Sequence, residues 1–233
     1  VLLLGFAVGC GSPNNDNNNN SNEGNVENNE NNEGSELADG TYTAASEASR
    51  GYVSAEVTIT DGEISEVVLS EFSDKGEQKD ENYSLDEWHD AMDELPGRFV
   101  EANSAEVDVF TGASSTSEKS MEAVGKALEK AAGFDGTFDG TYMGVSEVDD
   151  RGGWNIALVT LEDGDITEVE LLEVADGEFK DEDYSLDEWH EAVEEMPGRF
   201  VEANSADVDI YTGATSSSNK WIAAVEDALA NAQ

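Results

Sequence analysis

Residues 53–69, VSAEVTITDGEISEVVL, decide the fold class of this chain. From Val53 to Ile59, apolar and polar residues alternate, which is typical of a β-strand with one buried face. Asp61-Gly62 is the kind of two-residue turn that joins antiparallel strands, and a second apolar run follows it from Ile64 to Leu69. The segment therefore predicts an antiparallel β-hairpin.

This pattern occurs a second time, with Asp163-Gly164 at the turn. Further segments recur at an offset of 100 or 101 residues: residues 39–42 with 139–142, 83–89 with 184–190, and 96–105 with 197–206. Two copies of this length predict two domains, residues 38–133 and 134–233. Because almost no linker separates them near Gly133, we expect the domains to lie close together.

Each copy also contains two amphipathic helical patterns after its hairpin. The first pattern has Leu85, Trp88, Met92 and Leu95 on one face. We expect this helix to begin with a capping box of Ser84 and Glu87 and to stop at Pro96-Gly97. A C-terminal helix is indicated by Met121, Val124 and Leu128 in the first copy and by Ile222, Val225 and Leu229 in the second. Strands followed by helices predict an α+β fold with an antiparallel sheet.

The charge balance of the chain is strongly acidic. Its 233 residues include 54 acidic and 11 basic side chains, for a formal net charge of −43. A surface of this kind repels nucleic acid and anionic lipid headgroups, so we expect neither as a partner.

The N-terminal segment suggests how the chain is localised. Residues 1–8 are apolar but far shorter than the ~20 residues that span a bilayer, and they suit the core of a secretory signal. They lead through Gly9 into Cys10, the single cysteine, and resemble a lipobox whose cysteine is lipidated, although Ala7 stands where leucine is commoner. We therefore interpret residues 1–10 as a truncated signal with its lipobox. The alternative is a chance apolar terminus with a buried cysteine.

Residues 11–37 are rich in Asn, Glu, Ser and Gly. A segment with so few apolar residues cannot offset its ordering entropy, so we expect a disordered tether between the anchor and the domains.

A short motif lies between the two predicted helices of each copy. It consists of Asp108-Val109-Phe110-Thr111-Gly112-Ala113-Ser114 in the first copy and Asp209-Ile210-Tyr211-Thr212-Gly213-Ala214-Thr215 in the second. A Gly-Ala-hydroxyl turn that enters a helix places free N–H groups and the positive helix end beside a side-chain oxygen, which favours phosphate. Lys119 and Lys220 follow closely and are candidate phosphate contacts. A glycine turn with surface hydroxyls is the alternative.

The motif, preceded by Asp-Gly-Thr-Tyr and the hairpin, resembles the FMN-binding domain family. This family includes flavoprotein subunits of the sodium-translocating NADH:quinone oxidoreductase and of the Rnf complex, and tandem-domain lipoproteins of extracellular electron transfer. In the family, a flavin transferase moves FMN from FAD onto the last hydroxyl of the motif. The resemblance implies covalent FMN on Thr215 and Ser114. It also implies cofactor-binding roles for Asp108, Thr111, Gly112, Ala113, Asp209, Thr212, Gly213 and Ala214. Ser114 departs from the threonine that is usual in the family.

The resemblance predicts an electron carrier located outside the cytoplasm and attached to the membrane only through lipidated Cys10. Its expected partners are a flavin transferase, a quinone- or NADH-linked membrane donor and an extracytoplasmic acceptor. The sequence contains no evident nucleophile–base set or metal-ligand cluster, so we expect a redox component rather than an enzyme with its own substrate. Two alternatives remain: a surface lipoprotein that binds a ligand without flavin, and a protein flavinylated only in its second domain.

Several other residues have more than one possible role. We expect His89 and His190 to be surface residues. Trp88 and Trp189 either pack in the core or lie near the flavin. We expect Trp221 to lie nearer the flavin than they do, because it comes just after the motif. Arg98 and Arg199 are expected to contact the cofactor or an acidic neighbour.

Overall fold

The predicted hairpins form the centre of an antiparallel sheet in each copy. The computed structural model describes residues 36–233. The strands of the first copy are β1 (Gly40–Ala45), β2 (Tyr52–Thr60) and β3 (Glu63–Phe72), and those of the second are β4 (Gly140–Val145), β5 (Trp154–Glu162), β6 (Asp165–Ala175) and β7 (Glu178–Phe179). Each sheet follows chain order. The hairpins turn at Asp61-Gly62 and Asp163-Gly164, where both residues have positive φ, as a type I′ turn requires.

Four helices complete the fold: α1 (Asp86–Ala102), α2 (Ser114–Ala131), α3 (Asp187–Ala203) and α4 (Thr215–Asn231). In the first copy, α1 and α2 cover one face of the sheet, and alternate residues of β2 from Val53 to Ile59 are buried on that face. Leu95 and Phe99 of α1 and Val124 of α2 share this core. The predicted α+β class is therefore confirmed. Within residues 36–233, no helix is long and apolar enough to cross a lipid bilayer.

The start of α1 differs from the prediction. Leu85, rather than Ser84, occupies the N-cap position, and no side chain caps the helix there. The backbone carbonyl of Leu85 accepts the hydrogen bond from the Trp88 amide at 3.1 Å. Ser84 lies one residue too early to form a capping box with Glu87, so that prediction was wrong. Asp86 and Glu87 instead place negative charge in the first turn, where it interacts favourably with the helix dipole.

The predicted stop at Pro96-Gly97 was also wrong, because α1 continues to Ala102. Proline lacks an N–H and removes one internal hydrogen bond. The helix nevertheless continues because Phe99, one turn beyond Leu95, is completely buried on the same face. Both copies end this helix at an asparagine in the left-handed conformation, Asn103 with φ 47° and Asn204 with φ 48°.

These two asparagines also connect the helix end to the hairpin. Asn204 Oδ1 accepts a hydrogen bond from the Ile166 amide at 2.7 Å, and Asn103 does the same for Ile64 at 2.8 Å. We expect Asn204→Ala to lower the free energy of unfolding by about 2 kcal/mol, since alanine disfavours positive φ and cannot accept the bond. Urea unfolding measures this loss. Asn204→Gly, which tolerates positive φ, should lose only about 1 kcal/mol, and equal losses in the two variants would contradict the conformational part of the argument.

The two copies contact each other through the sheet faces that point away from their helices. Ala45 and Tyr52 of the first copy share a buried cluster with Met143, Trp154 and Ile156 of the second. The Ala48 amide also donates to the Thr141 carbonyl at 2.7 Å. The expectation that the copies lie close together agrees with this contact, and residues 36–233 belong to one compact unit.

Candidate functional site

The repeated motif forms a turn that leads directly into a helix. Ser114 is the first residue of α2 and Thr215 is the first residue of α4, and both are exposed. Gly112 has φ +93°, and a Cβ at this position would lie 2.7 Å from Glu87 Cγ. Gly213 has φ +96° and the same proximity to Glu188. The turn therefore requires glycine for both its conformation and its close contact with the neighbouring helix.

A serine one turn into the helix holds the motif in shape. Ser117 Oγ donates to the Ala113 carbonyl at 2.9 Å and accepts from the Phe110 amide at 2.9 Å. Ser218 makes the corresponding bonds in the second copy, to Ala214 at 2.9 Å and from Tyr211 at 3.1 Å. The backbone before the helix is thus fixed, and the hydroxyl of the first helical residue is left exposed.

The arginines support the motif from outside. Arg98 Nη1 donates to the Asp108 carbonyl at 2.8 Å, while its Nη2 pairs with Glu94 at 2.8 Å. Arg199 bonds the Asp209 carbonyl at 2.7 Å and pairs with Glu195 at 2.6 Å. The expected acidic neighbour is therefore present in each copy, and the arginines position the backbone of the motif.

Each motif opens onto a cavity beside the sheet, of about 430 Å³ in the first copy and about 390 Å³ in the second. Of the predicted site residues, the last three of each motif line these cavities: Gly112, Ala113 and Ser114, and Gly213, Ala214 and Thr215. The side chains of Asp108, Thr111, Asp209 and Thr212 are exposed and lie outside the cavity walls. The structure thus gathers part of each motif at the cavity.

A buried carboxylate forms the inner wall of the first cavity. Glu71 is 3% exposed and accepts hydrogen bonds from Lys79 Nζ at 2.7 Å, Trp88 Nε1 at 2.7 Å and Thr116 Oγ1 at 2.8 Å. Lys79 also lies over the Tyr83 ring, 4.4 Å from its centroid. Because every donor belongs to a different segment, this cluster links β3, the following loop, α1 and α2.

The second copy repeats the cluster around Glu173. Its carboxylate accepts bonds from Lys180 Nζ at 2.7 Å and Trp189 Nε1 at 2.8 Å. Burial on its own would raise the pKa of Glu173, but the hydrogen bonds from Lys180, Ser217 and Trp189 outweigh burial and lower it. The carboxylate is therefore stabilised in its charged form inside the wall of the cavity.

The two predicted lysines line the cavities but have different surroundings. Lys220 Nζ pairs with Asp149 at 3.0 Å and lies 3.6 Å from Glu173. Lys119 is 7% exposed, and within residues 36–233 no carboxylate oxygen lies within 4.0 Å of its Nζ. Burial lowers the pKa of Lys119. The first cavity therefore contains a buried cation that no carboxylate pairs with directly, and Glu71 and Glu122 act on it only at longer range.

Trp88, Trp189 and Trp221 are buried, and the histidines expected at the surface are partly buried. Trp88 packs in the core and also lines its cavity, whereas Trp221 is fully buried, bonds the Leu172 carbonyl and does not line the cavity. Trp221 is therefore part of the core rather than of the cavity wall. The imidazoles of His89 and His190 hydrogen-bond the carbonyls of Tyr83 and Tyr184.

Sequence reasoning missed the two buried glutamates and their lysine partners. The available signal was an acidic residue at the same place near the end of β3 and β6, with a lysine seven or eight residues later in each copy. An acid that recurs within an apolar strand indicates a buried, paired carboxylate.

The residues of each cavity fit an aromatic phosphate ester such as FMN. The first helical turn supplies amides without intrahelical partners, the hydroxyl of Ser114 or Thr215 lies beside them, and a lysine lines the same cavity. The cavity volumes are in the range of small-molecule sites, roughly 300 to 1,000 Å³. Within residues 36–233, no group of three His, Cys, Asp or Glu side chains is placed to hold a metal ion.

Comparison with known proteins finds a family match in each copy. The model of the FMN-binding domain matches residues 49–129 and again residues 152–230. An uncharacterized protein of Treponema pallidum (strain Nichols) is 36% identical over 95 residues, or 41% of this chain. The match spans 24% of that relative's length. The crystal structure of a Clostridium perfringens protein is 30% identical, with a TM-score of 0.36 over 41% of this chain and 88% of that one.

Proposed function

Because the chain belongs to the FMN-binding domain family and contains two copies of that domain, we propose that it is an electron carrier with FMN bound covalently to Thr215 and Ser114. The observation that carries the proposal is the exposed hydroxyl at the first residue of α2 and α4, at the mouth of a cavity that also holds a lysine. A phosphate attached there would lie at the positive end of a helix.

Attachment requires a flavin transferase and FAD. A phosphoester bond forms between the hydroxyl oxygen and the FMN phosphorus, the pyrophosphate bond of FAD breaks, AMP leaves, and the hydroxyl proton is released. The fixed turn supports this reaction because Ser117 and Arg98 hold the backbone while Ser114 remains exposed.

The residues of the cavity would then hold and orient the cofactor. Lys220 and Lys119 face the cavities that the attached phosphate would enter, and the buried Glu173 and Glu71 clusters keep the inner walls rigid. When bound, FMN supplies reversible electron transfer, and the protein supplies position and electrostatics.

The proposal places the protein outside the cytoplasm, held to the membrane by a lipid on Cys10. Cys10 and residues 11–35 of the proposed tether lie outside the described residues. A tether would let the domains reach both a quinone- or NADH-linked membrane donor and an extracytoplasmic acceptor at high effective concentration. Covalent attachment supports this location, since a dissociating flavin would be lost to the medium.

The test is the intact mass of residues 36–233 after co-expression with an exported flavin transferase. We expect a mass increase of two FMN groups, with one lost in Ser114→Ala, one in Thr215→Ala and both in the double variant. Ser115→Ala and Ser216→Ala, which remove the neighbouring exposed hydroxyls, are the matched controls and should keep both groups. One FMN that only Thr215→Ala removes would restrict the carrier to the second copy. No added mass with an active transferase would overturn the proposal and favour a ligand-binding lipoprotein.

A further inference from the structure

A hydrogen-bonded seam of three residues, Lys75, Trp154 and Gly177, lies between the walls of the two cavities. Lys75 follows Asp74, which lines the first cavity, and its carbonyl accepts a bond from Trp154 Nε1 at 2.7 Å. Lys75 Nζ donates to the Gly177 carbonyl at 2.6 Å. Gly153 and Asp176, the chain neighbours of Trp154 and Gly177, line the second cavity. Between Asp74 of the first wall and Gly153 of the second lie only Lys75, Trp154 and the hydrogen bond that joins them.

Packing makes this seam rigid. The rings of Tyr52 and Phe72 are stacked at 4.6 Å and belong to the same cluster as Trp154. Gly76, next to Lys75, approaches Val145 of the second copy so closely that a Cβ would overlap that side chain. Because the residues at this contact are packed and hydrogen-bonded, we expect the distance and the orientation between the two cavities to stay constant.

The net charge of the residues that line each cavity differs by one unit between the two copies. Among the described residues, the first cavity is lined by three cations and two carboxylates, Arg50, Lys79 and Lys119 with Glu71 and Asp74. The second is lined by three cations and three carboxylates, Arg151, Lys180 and Lys220 with Asp149, Glu173 and Asp176. The additional carboxylate is Asp149, at the position where the first copy has Ser49.

Asp149 is held in its charged form by the loop around it. Its Oδ1 accepts bonds from the amides of Gly153 and Arg151, both at 2.9 Å, and its Oδ2 pairs with Lys220. These contacts, led by the Gly153 bond, lower the pKa of Asp149 to about 2. Asp149 therefore forms a close ion pair with Lys220, whereas within residues 36–233 no carboxylate oxygen lies within 4.0 Å of Lys119 Nζ and Glu71 acts on it only at longer range.

We propose that the two sites form an ordered pair in which electrons pass directly from the FMN of the second copy to the FMN of the first, in an order that Asp149 sets. The inference rests on the proposed function. Reduction adds negative charge to a flavin, which the more positive first cavity favours and Asp149 opposes in the second. The electrons and protons that the reduced FMN of the second copy loses are those that the oxidised FMN of the first gains, so no other reactant is needed.

The test begins with the two single-flavin proteins, Ser114→Ala and Thr215→Ala, whose midpoint potentials are measured by redox titration. We expect electrons to favour the first site at least tenfold, which is about 30 mV for a two-electron couple. Asp149→Asn keeps the acceptor oxygen but removes the charge, and it should raise the potential of the second site. Ser49→Asp should lower that of the first. Equal or reversed potentials, or no response to Asp149→Asn, would overturn the proposed order.

Two further measurements address the contact between the sites and the charge at Lys119. In protein with both flavins, electrons should redistribute between sites at a rate independent of protein concentration, and a rate that rises with concentration would overturn direct exchange. In flavin-free protein, inorganic phosphate should raise the pKa of Lys119, as measured by lysine NMR, more in the unsubstituted chain than in Ser49→Asp. An equal rise in the two proteins would contradict the proposed effect of the charge at position 49. Absence of FMN in the mass spectrum would instead contradict the proposed function itself, so the two failures are distinguishable.

Discussion

Replacing Gly144 with alanine is expected to lower the free energy of unfolding by about 3 kcal/mol or more, through separation of α4 from its sheet. Gly144 lies in β4, and a Cβ there would overlap the backbone carbonyl oxygen of Ala224 and the backbone nitrogen of Ala228. Both atoms belong to a helix that packs along the strand, so no side-chain rotation relieves the overlap. Excess volume in a well-packed core typically costs about 1 to 3 kcal/mol, and more where backbone must move.

Gly198→Ala provides the matched control. Gly198 lies on the exposed side of α3, and a Cβ there meets nothing within 4 Å. Alanine should stabilise this helix by roughly 0.5 to 1 kcal/mol. The free energies of unfolding of the two variants, measured in urea, should therefore change in opposite directions. A Gly144→Ala protein as stable as the unsubstituted chain would show that α4 does not lie so close to β4.

Removing the buried carboxylate of Glu173 is expected to have the second large effect. Glu173→Ala leaves the ammonium of Lys180 and the indole N–H of Trp189 without their acceptor inside the protein. Breaking a buried ion pair from one side costs about 3 to 5 kcal/mol. Glu178→Ala is the control, because Glu178 pairs with Lys75 at 3.4 Å but is 86% exposed, and it should change stability by less than about 1 kcal/mol.

The contribution of Glu173 should also depend on pH. Its pKa in the folded protein is lowered, so its stabilisation is fully present above its ordinary pKa of 4.5 and is lost as pH falls through the folded value. The difference in unfolding free energy between the unsubstituted chain and Glu173→Gln should therefore be largest near neutral pH and shrink on acidification. A difference that stays constant from pH 7 to below the folded pKa would show that Glu173 is not held as a carboxylate.

Local sequence patterns predicted the hairpins and helices because the forces that form them act over a few residues. Alternation along residues 53–59 reflects the two faces of one strand, and Asp61-Gly62 suits the positive φ angles of its turn. The motif placed Ser114 and Thr215 at helix starts for the same local reason.

In two places a distant contact outweighed a local preference. Pro96-Gly97 favours a helix end, but burial of Phe99 against the sheet extends α1 to Ala102. Trp221 follows the motif in sequence, yet the rotation of α4 directs its ring into the core beside Trp189, at 6.3 Å between ring centroids.

The sequence by itself therefore determined the repeat, the α+β elements and the hydroxyl motif of each copy, since spacing within a segment encodes all three. Only the tertiary structure decided which charges are buried and which are paired. Thr116 meets Glu71 across 45 residues, and Lys75 reaches Gly177 across 102. Asp149 likewise meets Lys220 across 71 residues. Such pairings depend on how the sheets and helices pack in three dimensions, and no local period in the sequence records them.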